Sequence, residues 1–536
     1  MTIRDDLIAA VADALEGLSV EPPAGGIGLE RPANREHGDW SSNVALAVAK
    51  GAGRNPRELA AELVAELGAG SIPHVEAVEI AGPGFVNFRL ADSWLHDVLR
   101  TTIEAGVEDF GRQNIGNGTR ILVEYVSANP TGPVHAGHAR GAVYGDTVAN
   151  ILDRCGYEVG REYLLNDRGV QMQQFGASIA ARARGEEPPP GGYKGAYIDE
   201  FAAGLLPDDD PVEYGYVRSR VAIAETLARL GIEFDHWISE RETVASGAMD
   251  AALADLRAAG VVYESDGAIW IRTEDFGDDK DRVVVKADGE PTYFLPDVAY
   301  HRDKFERGWD RLIDVWGADH HGYVSRMKAA VAALGHDPDE LEIRITQLVR
   351  LERGGEQVKI GKRSGELIEL AEIIDEIGPD ATRFSYLLQG IDSQQTIDLA
   401  AMAEQSMENP VYYVQMAHAR ACSIQRKTAE AGFSPGELGD ADLSLLTHER
   451  ELAVLRSLSA LPDLLTVACR DRAPHKVTTW VRELASAFHG FFHDCYVMGD
   501  GIEPDVTVAR LWLVEAARIG LAVGLDVLGV SAPESM

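Results

Sequence analysis

Cysteine is scarce in this chain: Cys155, Cys422, Cys469 and Cys495 are the four in 536 residues, and no two form a Cys-x-x-Cys pair. That spacing excludes a zinc knuckle and a disulfide framework, leaving buried or incidental thiols. Basic residues are also under-represented, 50 Lys and Arg against 86 Asp and Glu, for a formal charge of -36. Such a balance argues against a non-specific nucleic-acid binder, although a few bases focused on one face would still allow salt-dependent RNA contact. No apolar run approaches the roughly 20 residues of a membrane span. The N-terminus, Met-Thr-Ile-Arg-Asp-Asp, has acids where a signal peptide has bases, so a cytoplasmic location and no membrane partner are expected. Internal repeats and low-complexity tracts are lacking too. What is present is ordinary soluble composition, 45% hydrophobic and 25% charged, in a chain long enough for three or four domains.

The periodicity predicts a multidomain α/β protein. Leu7, Ile8, Val11, Leu15 and Leu18 recur at helical spacing, and Ala81 to Leu90 reads as a turn followed by an alternating strand, giving a small α+β domain over residues 1–110. A Rossmann-like parallel-sheet core is expected over 111–398: a strand from Ile121 to Val126, a helix, then a second strand from Arg161 to Leu165. The turn-rich stretch from about 176 to 280 reads as an insertion. The sheet is expected to resume near 283 and end near 350, through Leu312 to Trp316 and Glu342 to Val349. From 399 to 536 the pattern is a helix bundle, with Leu445 to Leu465, Val477 to Phe492 and Val508 to Leu528 all apolar-periodic.

The most informative segment is Val123-Glu-Tyr-Val-Ser-Ala-Asn-Pro-Thr-Gly-Pro-Val-His135-Ala-Gly137-His138-Ala-Arg140. Its Asn-Pro-Thr-Gly-Pro can continue neither strand nor helix, so His135 falls at a helix start, where free N–H groups and the helix dipole favour phosphate. His135 and His138 share one face, and Gly137 between them leaves room for a flat base. Some 220 residues on comes Arg353-Gly-Gly-Glu-Gln-Val-Lys359-Ile-Gly-Lys362-Arg-Ser-Gly365, a glycine-punctuated basic loop. Alone it reads as a solvated surface. Paired with the histidines, it suits the charge that develops when pyrophosphate leaves.

Together the two elements resemble the HIGH and KMSKS signatures of class I aminoacyl-tRNA synthetases. The surrounding residues, Asn166-Asp-Arg-Gly-Val-Gln171, Tyr293-x-x-x-Asp297-Val-Ala-Tyr300, Val315-Trp-Gly-Ala-Asp-His-His-Gly322, Asn409-Pro-Val-Tyr-Tyr-Val-Gln-Met-Ala-His-Ala-Arg420 and the ending Leu528 to Met536, are similar to bacterial arginyl-tRNA synthetases. The resemblance implies an arginine–tRNA ligase with three substrates, L-arginine, ATP as its Mg²⁺ complex and tRNA(Arg), with no zinc, no resident metal site and no DNA partner. It implies a monomer, and activation of arginine only with tRNA bound.

It also implies roles. His135, Gly137, His138, Lys359 and Lys362 would serve ATP, the histidines and lysines being catalytic. Glu124, Asn129, Glu240, Tyr293, Asp297 and His321 would hold arginine, whose planar five-donor guanidinium is best met by carboxylates. Asn87 and Phe88 would contact the outer corner of tRNA, and Tyr412, Tyr413, Gln415 and Arg420 the anticodon side. Core packing is the competing reading for Phe88 and the tyrosines, as a turn role is for Asn87 and a structural strand end for Glu124. Two departures stand out: Ile360 and Gly361 replace Met and Ser of KMSKS, and Gly132 lies where some enzymes lacking the second signature carry lysine. Two other readings are a different adenylyl-transfer enzyme, which needs neither RNA-binding end, and a non-catalytic paralogue, which would have lost His138, Lys362 or Asp297.

Overall fold

The computed structural model describes residues 3–32, 34–68, 72–358 and 368–536. They divide into two compact units. The first comprises Met1–Gly106, Ile424–Ser459 and Gly490–Ala517. Its antiparallel sheet contains β1 (Trp40–Ser42), β2 (Val75–Ala81) and β3 (Phe85–Leu90), ordered β1-β3-β2. The helix Ile3–Gly17 turns Leu7, Val11 and Leu15 into the core. The helix Pro56–Leu67 starts sharply because Pro56 has no N–H to lose, while the Asn55 side chain accepts from the Arg57 and Glu58 N–H groups.

The second unit comprises Val107–Ser423, Ala460–His489 and Arg518–Met536. Its centre is a parallel sheet of β4 (Arg120–Glu124), β5 (Glu158–Leu165), β6 (His236–Ser239), β10 (Arg311–Gly317) and β11 (Leu341–Thr346), ordered β11-β10-β4-β5-β6. Read from β6 to β11, this is third, second, first, fourth, fifth in chain order: the doubly wound pattern, which opens a crevice at the carboxyl ends of β4 and β10. Strands β7 (Val262–Ser265), β8 (Ala268–Ile271) and β9 (Arg282–Val285) form a separate antiparallel sheet. Strands β12 (Val349–Arg353), β13 (Glu356–Gln357) and β14 (Gln395–Asp398) form another, ordered β13-β12-β14.

The expected α/β core and helical C-terminal half are present, with local differences. The stretch read as an insertion supplies β6, whose four residues are too short to show a period. The parallel sheet resumes at Arg311, because β9 belongs to the antiparallel sheet. The run Glu342 to Val349 is two strands in two sheets. The expected helix over 445–465 is two, Glu449–Ser459 and Leu461–Asp471, with Pro462 opening the second. By composition alone the span Glu449–Asp471 is long and apolar enough to cross a membrane, contrary to the reading of unbroken runs. It spreads its apolar residues at helical period, and Leu452, Leu455, Leu458, Leu461 and Leu465 are buried, as core helices require.

One buried side chain secures the end of the chain. Arg383 donates to the carbonyls of Leu230 (2.7 Å) and Leu528 (2.9 Å) and pairs with Asp146 on the helix Ala136–Arg154. Along that helix Gly145 lies against the ring of Tyr125, which is fully buried, and an added Cβ would run into the ring. Gly145→Ala is therefore expected to destabilise the protein by about 1 to 3 kcal/mol, the usual range for overpacking, in urea unfolding followed by fluorescence. No shift in the midpoint would mean that the ring relocates freely.

Candidate functional site

The site begins where β4 ends. Val126 (φ 70°) and Ser127 (φ 40°) both take left-handed backbone conformations, which is unusual for a β-branched residue. This is why the strand expected to reach Val126 stops at Glu124. The turn is pinned from β5: the buried Tyr163 hydroxyl accepts from the Ala128 N–H (3.0 Å) and donates to the Ala128 carbonyl (3.0 Å). The Ser127 hydroxyl donates to Glu124 Oε1 (2.8 Å) and accepts from the Leu164 N–H (3.1 Å). Beyond it the exposed Asn129 amide is oriented, donating to Gln171 Oε1 (2.6 Å) and accepting from Asn166 Nδ2 (3.2 Å).

His135 is the N-cap of the helix Ala136–Arg154, its Nδ1 accepting from the Gly137 N–H at 3.1 Å. With Nδ1 occupied as an acceptor, the neutral ring carries its proton on Nε2, the form that donates to a phosphate oxygen. The His138 ring lies 3.8 Å from it, centroid to centroid. A Cβ on Gly137 would sit 2.9 Å from His135 Nδ1, so glycine is required for this cap. The same segment pairs with the chain at 368–370: the Ala136 N–H donates to the Ile368 carbonyl (2.9 Å), and the Leu370 N–H to the Val134 carbonyl (2.8 Å). Lys359 and Lys362, in the stretch immediately before, lie outside the described residues.

Across the crevice the helix Phe294–Glu306 presents Asp297, His301 and Lys304 at spacings of three and four, one face of a helix. The ammonium of Lys304 is fully buried between Glu124 Oε2 and Asp314 Oδ1, the latter at 2.9 Å. Burial disfavours its charge, but Asp314 and Glu124 overcome that and raise its pKa. His301 bonds the Asp297 carbonyl through Nδ1 (2.8 Å) and Asp314 Oδ2 through Nε2 (2.9 Å). Beside these, Glu162 accepts two bonds from the Arg307 guanidinium (2.6 and 3.0 Å) and one from the Tyr300 hydroxyl (2.6 Å).

Asp297 and Glu240 are the two acids left short of counter-charge. Burial raises the carboxyl of Asp297, opposed by the Tyr323 hydroxyl that donates to its Oδ2 at 2.6 Å. Burial also raises Glu240; Arg168, 3.7 Å away, opposes it, and the charge of Asp297 adds to it. Glu240 is set at its helix start by a relay in which the Ser239 hydroxyl and the Arg241 N–H both donate to the buried Asp167 carboxylate, at 2.6 and 2.9 Å. Two desolvated carboxylates within electrostatic reach of each other suit a dispersed cation such as a guanidinium.

The parallel sheet's carboxyl edge thus gathers Glu124, Asn129, His135, Gly137, His138, Glu240, Tyr293, Asp297 and His321. They are differently engaged: Tyr293 is 93% exposed, His321 is exposed on the short helix Ala318–Tyr323, and Glu124 is buried with both oxygens bonded. The reading from sequence passed over Lys304, His301, Asp314, Tyr323 and Asp167. A buried-face spacing of 297, 301 and 304 was the available signal, and it is legible only once those residues are known to face a sheet.

In the first unit a cavity of about 490 Å³ is lined by Arg31, His37, Ser41, Phe85 and Asn87 among others. Asn87 accepts from the Ser41 hydroxyl at 2.7 Å, whereas Phe88 is fully buried. Phe88 therefore packs in the sheet's core and offers no ring face to an RNA, the alternative weighed from the sequence. In the second unit the Tyr413 ring lies edge-on to His489, 4.5 Å away, and His489 bridges the Tyr413 carbonyl (3.0 Å) and Arg420 (2.9 Å). Gln415 is buried and donates to Asp380 (2.8 Å) and the Ser531 carbonyl (2.9 Å), so its amide holds the end of the chain. Tyr412 is half-buried. Among the described residues no group of three or more His, Cys, Asp or Glu could hold a metal ion.

Comparison with known proteins covers nearly the whole chain. Residues 5–90 match the arginyl tRNA synthetase N-terminal domain, 104–187 and 210–419 the class I (R) tRNA synthetase catalytic domain, and 414–536 the DALR anticodon binding domain. The arginine–tRNA ligase of Syntrophotalea carbinolica is 47% identical over 529 residues, 95% of each chain. That of Bacillus subtilis is 42% identical over 553 residues, 100% of this chain and 98% of its own. The arginyl-tRNA synthetase structure from Thermus thermophilus shares the fold at a TM-score of 0.76, with 22% identity and full coverage of both chains.

The buried ion cluster yields a stability prediction. Lys304→Met leaves Glu124 and Asp314 facing each other without a cation and is expected to cost about 3 to 5 kcal/mol in chemical unfolding, as breaking a buried pair does. The double change Lys304→Met with Asp314→Asn restores the charge balance and should recover part of that loss. Equal stability of the two variants would show that the cluster's charge is not what matters.

Proposed function

Since the chain belongs to the arginyl-tRNA synthetase family, we infer that it is an arginine–tRNA ligase, which activates L-arginine with ATP and transfers it to the 3′-terminal ribose of tRNA(Arg), releasing AMP and pyrophosphate. The observation that carries the assignment of the amino-acid pocket is the pair Asp297 and Glu240, two half-buried acids whose pKa values burial raises and whose charges act on each other. In the first step the arginine carboxylate attacks the α-phosphorus; a P–O bond forms, the bond to the β-phosphate oxygen breaks, and pyrophosphate leaves. His135 and His138 stabilise the phosphates, and Lys359 and Lys362 the departing pyrophosphate. In the second step a ribose hydroxyl of the tRNA's terminal nucleotide, the 2′ by resemblance to class I enzymes, attacks the arginyl carbonyl and AMP departs. Asp297 and Glu240 hold the guanidinium, with Tyr293 as the other half of the side-chain-binding pair, and Asn129, Glu124 and His321 are assigned to the amino and carboxylate groups.

Mg²⁺ enters with ATP as part of the substrate. For tRNA, the cavity at Asn87 has the volume and polar lining for a single nucleobase from the outer corner, with Phe85 at its rim, while Tyr412, Tyr413 and Arg420 mark the anticodon side. The three functions are carried by residues 1–110, 111–398 and 399–536, in a monomer working in the cytoplasm where its substrates meet. Because a chain of net charge -36 must meet tRNA phosphates with Lys and Arg focused on one face, tRNA affinity falls steeply with added salt as those contacts give up their counterion release.

Pyrophosphate exchange with each amino acid, with and without tRNA, tests this reading. Arginine-dependent exchange in the presence of cognate tRNA is expected, and its absence sinks the assignment. Asp297→Ala should raise the barrier for arginine, read as kcat/KM, by about 2 to 5 kcal/mol, as loss of a buried charge partner does, with ATP use much less affected.

A pH dependence follows from the same pair. Both acids must be ionised to receive the guanidinium, and both have pKa values raised by burial. The kcat/KM for arginine should therefore fall on acidification at a pH above the ordinary carboxylate range of about 4. Because the charge of Asp297 helps raise Glu240, Asp297→Asn should move the remaining acid limb to lower pH. An acid limb that stays in place would show that the pair is not what titrates.

A further inference from the structure

The Asp297 carboxylate accepts from the Tyr323 hydroxyl at Oδ2, 2.6 Å away, in the short range of a hydrogen bond to a charged acceptor. The two steps of the reaction leave Tyr323 without a part. It ends the short helix Ala318–Tyr323 and opens the helix Val324–Ala333, so its backbone is fixed on both sides. Its ring is held as firmly. It lies edge-on to Phe294, with centroids 6.1 Å apart and 86° between planes, tilted against Trp316 at 6.1 Å, and beneath the Arg326 guanidinium, 4.6 Å from the ring centre. A hydroxyl carried on such a ring has one place to point. Burial and the charge of Asp297 push its pKa up, against the opposing charge of Arg326, so it stays an O–H, and a donor, wherever the carboxyl titrates.

A carboxylate left to itself turns in a broad, two-fold torsional well, whereas a planar guanidinium needs both oxygens in one plane. Tyr323 takes one lone pair of Oδ2, and the other, with both on Oδ1, stays open to the fork. Glu240 faces Arg168 at 3.7 Å, an ion pair too long for a hydrogen bond, so the orientation of the acid pair is set at Asp297. We propose that Tyr323 is a positioning residue for arginine, its hydroxyl fixing the plane of the Asp297 carboxylate before the guanidinium arrives. This rests on the reading that Asp297 holds the guanidinium.

The bond also leaves a mark in pH. Burial raises the Asp297 carboxyl and the Tyr323 bond lowers it, so losing that bond raises it further and demands a higher pH for ionisation. The other titratable groups that act on it are His301 on its own helix, His320 beside Tyr323, Asp314 on β10 and Glu240 at the start of the helix Glu240–Ala245. The nearby cations are engaged elsewhere: Lys304 with Glu124 and Asp314, Arg302 with Asp255 and Glu306, and Arg282 with Asp278 and Asp279. Removing one phenolic oxygen alters none of these groups.

Tyr323→Phe keeps the ring and deletes the hydroxyl. Arginine-dependent pyrophosphate exchange with cognate tRNA is followed across pH in this variant, in Asp297→Asn and in the double variant. Near neutral pH, Tyr323→Phe should lose about tenfold in kcat/KM for arginine, mostly through KM, with KM for ATP near the parent value. Its acid limb should move to higher pH, opposite to that of Asp297→Asn. In the double variant the limb should stay where Asp297→Asn alone puts it, because the group that the hydroxyl acts on no longer titrates. An unmoved limb in Tyr323→Phe overturns the proposal even if activity falls, since a ring that only packs costs activity at every pH alike. A limb that the hydroxyl's loss still moves in the double variant overturns it too, for the hydroxyl then acts on another group. Failure of Asp297→Asn itself to shift the limb is a separate result: it overturns the reading of Asp297 and the proposal with it.

Discussion

The rest of the site depends on the turn between β4 and the histidine helix being held in one conformation. Left-handed backbone at Val126 and Ser127 costs of the order of 1 to 3 kcal/mol each, and it persists only when the surroundings over-determine it. Tyr163 supplies two hydrogen bonds to Ala128, and Ser127 two more through its hydroxyl. At about 1 kcal/mol apiece these bonds are comparable to the strain, and burial of the Tyr163 ring adds to them. The consequence is directional. The strained turn stops β4 at a buried carboxylate and delivers the chain, five residues beyond Pro130, to a helix whose first residue is already capped by an imidazole. On the proposed assignment of Glu124 and Asn129 to arginine and His135 and His138 to ATP, both sides of the reaction are set by one short segment.

Charge completes what the turn begins. Four carboxylates at the crevice, Glu124, Asp314, Asp297 and Glu240, face two cations, Lys304 and Arg168, within hydrogen-bonding or ion-pairing distance. The division among them is uneven. Lys304 and His301 serve Asp314 and Glu124, whereas Asp297 and Glu240 have less counter-charge beside them; burial raises the carboxyls of Asp297 and Glu240, and that of Glu124 as well. A buried shortfall of negative charge is costly when the site is empty and is relieved by a substrate that brings a guanidinium. On the proposed assignment a neutral side chain of similar length would relieve none of it, and the same cost that weakens the empty site would discriminate between amino acids.

Much of this was legible in the residues. The strand, the Pro/Gly turn and the His-x-Gly-His spacing located the helix start correctly because each depends on local backbone chemistry. What stayed hidden depends on tertiary placement. The four residues of β6 carry no period, and Lys304 looks like any charged residue of an amphipathic helix until the sheet behind it is known to end in acids. Phe88 shows the converse: the family resemblance offered it to tRNA with core packing as the competing reading, and in a strand exposed at Phe85 and buried at the next three positions it packs in the core. Gln415, taken from the sequence toward the anticodon side, instead braces Asp380 and Ser531.

Gly132 draws these strands together. Its φ of 148° is a conformation that L side chains rarely adopt, and a Cβ there would sit 2.9 Å from the Tyr197 ring. A lysine at this position, the arrangement of those relatives that lack the second signature, has no room without displacing both the turn and Tyr197. On the proposed mechanism the compensating charge for pyrophosphate comes from outside the first segment. The backbone already provides for that: Ile368 and Leu370, just past the lysine stretch, are bonded directly to Ala136 and Val134, on either side of His135. Its other end leaves a hairpin that Arg140 ties to the same helix. Both described ends of the stretch are thus referred to the histidine helix, and in sequence Gly361 lacks the serine hydroxyl of the second signature while both lysines are kept.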